Sequence, residues 1–196
     1  MKLYLIRHGQ TAANLRPADF PWDNDCPLTP EGQTQARHTA AWLHRQGVRP
    51  THVLASPKVR AQQTAGILGA ALGRAPQPDA RLTEMDGGQW HGRPVQEVAA
   101  YIHGLPIDER FLFAPPGGES WQACGGRLVA LIQEHITEVE LLLVSHYAPL
   151  QAAVGTLLQA PFAEWGTYDF PNASVTLLEY HGGNWRAVYI GRPPSA

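Results

Sequence analysis

Apolar positions along the chain follow two alternating rhythms. Short aliphatic and aromatic runs at residues 2–6, 52–55, 141–145, 174–180 and 185–190 each have the length of one β-strand. Between them the period lengthens to that of a helix. Thr29, Pro30 and Glu31 supply a cap, a first-turn proline and a first-turn acid ahead of a stripe at Ala36, Ala40 and Leu43, and Gly47 ends it. Ser56-Pro57 repeats that start signal before a helix over 59–72, closed by Gly73. Further helices are predicted over 94–102, 120–136 and 149–158, the second weakened by Gly125-Gly126. Glycine and proline concentrate at 16–30, 75–94 and 104–118, which read as loops, and 192–196 reads as a frayed tail. Strand alternating with helix predicts the α/β class: a three-layer α/β/α sandwich around a mostly parallel sheet.

A chain of 196 residues suits one domain spanning 1–196, and 44% hydrophobic residues are enough to bury a sizeable core. Charged residues are only 16% and the net charge is −2, so neither nucleic acid nor an anionic membrane is an expected partner. Any anionic ligand must be caught by a local pocket. Lys2 and Lys58 are the only lysines among 15 basic residues, so arginine is the default cation and position must carry the argument. Cys26 and Cys124 lie far apart with no Cys-x-x-Cys pair, which excludes a disulfide framework and suits a reducing compartment. The apolar run 3–6 is too short for a signal-peptide core and no stretch is long enough to span a membrane, so the cytoplasm is expected.

Ligands of parallel α/β sheets bind beyond the carboxyl ends of the strands. The first predicted strand runs into Arg7-His8-Gly9, the second into Ser56-Pro57-Lys58-Val59-Arg60 and the third into Ser145-His146. Two arginines and two histidines are thereby delivered to one sheet edge. An arginine fork beside a helix start matches phosphate oxygens, so a phosphomonoester is the expected ligand. His8, in front of a glycine that permits close approach, is placed to act as a nucleophile when neutral. Leaving-group departure needs a proton. Glu84, beside apolar Leu82, Met85 and Trp90, is the first choice of donor and Asp86 the second. His38, His44, His52, His91, His103, His135 and His181 lack this context and read as structural or surface residues. With no His-Glu-x-x-His, Cys/His cluster or Asp-rich loop, neither a metal nor an organic cofactor is expected.

The segments LIRHGQTAANL, LTPEGQTQA, ASPKVRAQQTA, LTEMDGGQWHG, PPGGES, VSHYAPL and PNASVTLLEY, in that order, resemble the histidine phosphatase superfamily, also called phosphoglycerate mutase-like. The resemblance covers nearly the whole chain. It implies that His8 is the phosphorylated nucleophile, that Arg7, Arg60 and His146 bind the phosphoryl group, and that Glu84 is the proton donor. It also implies that Asn14 touches the phosphate, with contributions from Gly9, Gln10, Thr11 and Tyr147, although Thr11 reads equally well as a helix cap. Asn172 matches an asparagine before the late strand and reads first as a turn residue. One departure stands out: Tyr147 occupies the position after the second histidine where the family commonly has glycine.

The expected reaction is hydrolysis of a small phosphomonoester through phosphohistidine. A cofactor-dependent phosphoglycerate mutase is the alternative within the family. The Met-Asp-Gly-Gly-Gln-Trp-His-Gly loop is nearer the phosphatase branch, and only Arg93 and Arg110 are available before Gly117 to bind further anions. A scaffold that captures a phosphorylated partner without turnover is the reading from another class. Trp22, Trp90, Trp121 and Tyr168 are expected mainly to fill the core, with a second role in shaping a pocket for a bulky leaving group.

Overall fold

A computed structural model describes residues 1–17 and 24–193. Trp22 and the last three residues of the expected tail lie outside the described residues, as does part of the loop predicted over 16–30. Strand β1 (Lys2–Arg7) is followed by the single turn α1 (Ala12–Leu15), the long helix α2 (Pro30–Arg45), β2 (His52–Ala55) and α3 (Val59–Leu72). A two-residue edge strand β3 (Gln77–Pro78) then leads through two 3₁₀ turns to α4 (Val95–Gly104), α5 (Ile107–Arg110) and α6 (Trp121–Glu134). The chain finishes with β4 (Glu140–Ser145), α7 (Tyr147–Leu157), α8 (Phe162–Trp165), β5 (Val175–His181) and β6 (Asn184–Arg192).

The strands form one sheet in the order β3-β2-β4-β1-β5-β6. The first four run parallel, and β5 and β6 add an antiparallel edge. Alternation along each strand sends one set of side chains to each face. Tyr4, Ile6, Val53, Ala55, Leu142 and Val144 pack with Leu43 of α2 and Leu68 of α3. Leu3, Leu5, Leu54, Leu141 and Leu143 pack on the other face with Leu128, Leu131, Leu150 and Val154 of α6 and α7. The result is the expected sandwich of three layers. Gly125 does not interrupt α6: a Cβ there would collide with Ala152 of α7, so the glycine permits close approach of the two helices.

Local start signals behave as read, with one exchange. Thr29 caps α2 by accepting from the Gly32 N–H at 3.0 Å, and Ser120 caps α6 by accepting from the Ala123 N–H at 3.1 Å. Ser56, expected to open α3, instead faces His146, and the Val59 N–H is satisfied by Asp25 Oδ1 at 2.9 Å. No helix of the described residues is long and apolar enough to cross a membrane. Because β1, β2 and β4 run the same way, their carboxyl ends present Arg7, Ala55 and Ser145 together; Arg7 pairs with Ser145 and Ala55 with Val144.

Candidate active site

Each of those three strand ends delivers a reactive or charged side chain within one or a few residues. His8 follows β1, His146 follows β4 as the cap of α7, and Arg60 stands in the first turn of α3. The three meet: Arg60 Nε lies 3.2 Å from His8 Nε2, and the His8 and His146 ring centroids are 5.1 Å apart. His8 Nδ1 is 2.8 Å from the Gly9 carbonyl oxygen, which can only accept. Nδ1 therefore carries the proton, and Nε2 presents its lone pair to the arginine. Burial, reinforced by the charges of Arg60 and Arg7, holds the His8 imidazole well below its ordinary pKa. His146 is fully buried and is held down by the same causes. Both rings are neutral at pH 7.

The remaining groups enclose a cleft of about 250 Å³ in front of His8. Arg7 and Arg60 line it, with Glu84 on the wall. Arg7 Nη1 donates to the Phe170 carbonyl at 2.7 Å, while its Nε is buried without a partner among the described residues. His146 Nε2 is 2.8 Å from Ser56 Oγ, and its Nδ1 is likewise buried and unpartnered. Burial lowers the pKa of both arginines, and the neighbouring Glu84 carboxylate works against that effect. For Glu84 itself burial dominates and raises the pKa, against an N–H donated from Met85 at 2.9 Å and the nearby arginines. Its loop is pinned from below: Ser145 Oγ donates to the Leu82 carbonyl at 2.7 Å, and Arg127 donates to the carbonyls of Arg81 and Glu84 at 2.6 and 3.0 Å.

The other predicted positions divide. Thr11 caps α1 and lines the cleft. Its N–H and hydroxyl both donate to Asn14 Oδ1, at 2.9 and 3.0 Å, and Asn172 Nδ2 reaches the same oxygen at 3.2 Å. Asn14 also lines the cleft, and this anchoring of Oδ1 leaves its Nδ2 end to face a ligand. Gly9 and Gln10 do not line it: the Gly9 N–H donates to Thr64 Oγ1 at 3.0 Å and the Gln10 N–H to Gln35 Oε1 at 3.0 Å. A Cβ on Gly9 would come 2.5 Å from the Gly32 carbonyl oxygen, so the close approach there is to α2. Asp86 is exposed and pairs with His91 at 2.8 Å, outside the cleft.

Tyr147 begins α7 with ordinary helical backbone, so the substitution for glycine strains nothing. Its ring walls the cleft and lies 5.2 Å from the Arg7 guanidinium carbon. A further part of the wall comes from Val95, Ala99 and His103 of α4, which the sequence does not mark as site residues; His103 lines the cleft rather than being only a structural or surface residue. Trp121 also lines the cleft, whereas Trp90 is buried in the cluster beneath α4. Asn172, read as a turn residue, donates from Nδ2 to the His8 carbonyl at 3.1 Å and so fixes the backbone of the nucleophile candidate.

Against known proteins, the model of the histidine phosphatase superfamily (branch 1) matches residues 3–192. The chain belongs to this superfamily. A curated relative from Enterobacter sp. (strain 638), named a probable phosphoglycerate mutase GpmB, is 32% identical over 198 residues, covering 95% of this chain and 88% of the relative. Among solved structures, the mycobacterial glucosyl-3-phosphoglycerate phosphatase complexed with VO3 superposes with a TM-score of 0.84 at 30% identity, covering 97% of this chain and 98% of that one. YhfR of Bacillus stearothermophilus superposes with a TM-score of 0.82 at 25% identity, covering 97% and 96%.

Proposed function

We propose that this histidine phosphatase superfamily member hydrolyses small phosphomonoesters through a phosphohistidine on Nε2 of His8, with Glu84 as the proton donor. The observation that carries the reading is the pairing of a buried, neutral imidazole, its proton fixed on Nδ1 by the Gly9 carbonyl, with an arginine that abuts the free lone pair. A phosphoryl group entering the cleft offers Arg60 Nε a charged oxygen in place of His8 Nε2 and frees the nitrogen to attack.

In the first step the Nε2 lone pair forms a bond to phosphorus while the bond to the leaving oxygen breaks. Glu84, whose pKa is raised by burial in the direction a general acid needs, passes a proton to that oxygen. Arg7, Arg60 and Asn14 Nδ2 supply donors for the equatorial oxygens from the cleft lining, the unpartnered Nδ1 of His146 adds one from behind that lining, and positioning with charge stabilisation does most of the work. In the second step the Glu84 carboxylate takes a proton from water as the water oxygen attacks phosphorus. The P–N bond breaks, its electron pair returns to Nε2, and phosphate departs. Arg7 is kept in place by the Phe170 carbonyl and the Tyr147 ring. The leaving group lies against Val95, Ala99, Trp121 and Tyr147, a wall suited to an apolar face.

The relatives named as phosphoglycerate mutases support the second reading, in which a phosphoglycerate instead of water receives the phosphoryl group. One experiment separates the two and tests both. The native chain and His8→Ala are assayed with chelator present, for phosphate release from a panel of phosphomonoesters and for isomerisation of 3-phosphoglycerate. Release by the native chain, absent in His8→Ala and accompanied by an acid-labile phosphoryl label on the chain, is expected. Isomerisation without net release would favour the mutase, and full activity in His8→Ala would remove the phosphohistidine.

A further inference from the structure

Three metal-ligating side chains meet at the end of the sheet opposite to His8. His52 opens β2, His135 ends α6 and Glu138 lies in the turn leading into β4. The Glu138 N–H donates to the His135 carbonyl at 3.0 Å, and this tight turn sets the two side chains next to one another. The ladder between β2 and β4 brings in the third. His52 pairs with Leu141, and the Thr51 N–H donates to the Glu140 carbonyl at 2.8 Å. One ligand atom from each residue lies within 4.8 Å of the other two; His52 Nε2 is 3.6 Å from Glu138 Oε1. The two imidazole centroids are 5.2 Å apart.

We infer that His52, His135 and Glu138 form a binding site for a divalent transition-metal ion of the Zn²⁺ type. Ligand atoms on a tetrahedral zinc, each about 2.0–2.1 Å from the metal, stand roughly 3.3–3.5 Å from one another. The His52–Glu138 separation is already close to this, and ring rotation about the side-chain bonds supplies the remaining ångström or so for the others. Two imidazoles with one carboxylate favour Zn²⁺, Co²⁺, Ni²⁺ and Cu²⁺ over Mg²⁺ and Ca²⁺, which prefer all-oxygen shells. Three protein ligands leave the fourth position for water, and the His52 side chain is 37% exposed, so the ion exchanges with solvent. Asp79 and Glu134, both paired with Arg81, also face His135 and add negative potential. A simple ion pair between His52 and Glu138 explains two of the three groups. It gives no reason for a second imidazole whose ring centroid stands 5.2 Å from the first.

The site is remote from the cleft. Four residue steps along extended β2 separate His52 from Ser56, about 13 Å at strand rise. A bound ion therefore clips the start of β2 to the turn before β4 and stabilises the fold by mass action, independently of the phosphatase reading.

The test titrates Zn²⁺ and Co²⁺ into the untagged, chelator-stripped full chain, read by calorimetry, Co²⁺ absorption and thermal melting. One ion with a four-coordinate Co²⁺ spectrum and a raised melting temperature is expected. The His52→Ala and His135→Ala variants are each expected to bind about tenfold more weakly or worse. Both should melt like the native chain in chelator and keep its phosphate release there, while the variant His8→Asn/His146→Gln retains the ion. Absence of saturable binding, or equal affinity in His52→Ala/His135→Ala, overturns the site. If that double variant does not fold, Glu138→Gln is read by the same criteria.

Discussion

The cleft keeps two imidazoles uncharged inside the protein, and this makes folding stability depend on pH in a calculable way. His8 and His146 both have folded-state pKa values well below the ordinary 6.5, from burial first and from neighbouring cations second. As pH falls through the window between 6.5 and those lower values, the unfolded chain takes up protons that the folded chain refuses, so stability falls. Above 6.5 neither form binds the proton and the effect vanishes. For one such histidine the loss between pH 7.0 and 5.5 is at most about 1.3 kcal/mol, reached when the folded form takes up no proton, so at most about 2.5 kcal/mol for the two. Glu84 works in the opposite sense, because its raised pKa lets the folded chain take up a proton before the unfolded one does. Comparing the native chain with His8→Asn/His146→Gln cancels Glu84 and every other titrating group. Urea melts of both at pH 7.0 and 5.5 should show the native chain losing up to about 2.5 kcal/mol more than the variant. The double change is used because rings 5.1 Å apart titrate as a pair. Equal losses in the two proteins would mean that the imidazoles are not held neutral by the fold, and a neutral nucleophile would lose its physical basis.

Glu84→Gln should slow turnover of an alkyl phosphate by roughly 10²–10⁴-fold, the usual worth of a positioned general acid, and slow an aryl phosphate with an acidic leaving group far less. Equal slowing of both, measured as kcat by phosphate release, would take the proton-donor role away from Glu84. Arg127→Met removes donors to Glu119 at 3.1 and 2.6 Å and to the carbonyls of Arg81 and Glu84, in a pair whose side chains are only 21% exposed. A loss of about 2–4 kcal/mol in urea unfolding is expected, with kcat falling more than KM rises because the Glu84 loop loosens. Unchanged stability would show that the clamp is idle.

Much of this architecture is legible in sequence because the signals are local. Thr29-Pro30 and Ser120 mark their helix starts by side-chain chemistry that works within one turn. The strand ends also bring Arg7, His8, Arg60 and His146 to one edge, as expected, since a parallel sheet turns chain positions into neighbours. What stays hidden depends on contacts distant in sequence. Asp25 replaces Ser56 as the group capping α3, and nothing near either residue announces the exchange. The short helices α5 and α8 are held by packing of Phe111, Phe162 and Trp165 rather than by any period of their own. His103 joins the cleft only because α4 folds over it. His135 and Glu138 are three residues apart in a turn, but their partner His52 arrives by strand pairing. Gly125 of α6 misleads for the same reason, because its advantage lies in the neighbouring helix α7.

The contact between Arg60 Nε and His8 Nε2 makes the resting enzyme self-protecting. A nitrogen whose lone pair is already engaged is a poor target for stray electrophiles, and only an oxyanion of the right charge and shape outcompetes it for the guanidinium. In the proposed reaction the atom that shields His8 Nε2 is also the one that recognises the phosphoryl group. On this reading the reactivity of His8 is unmasked by the molecule that will consume it.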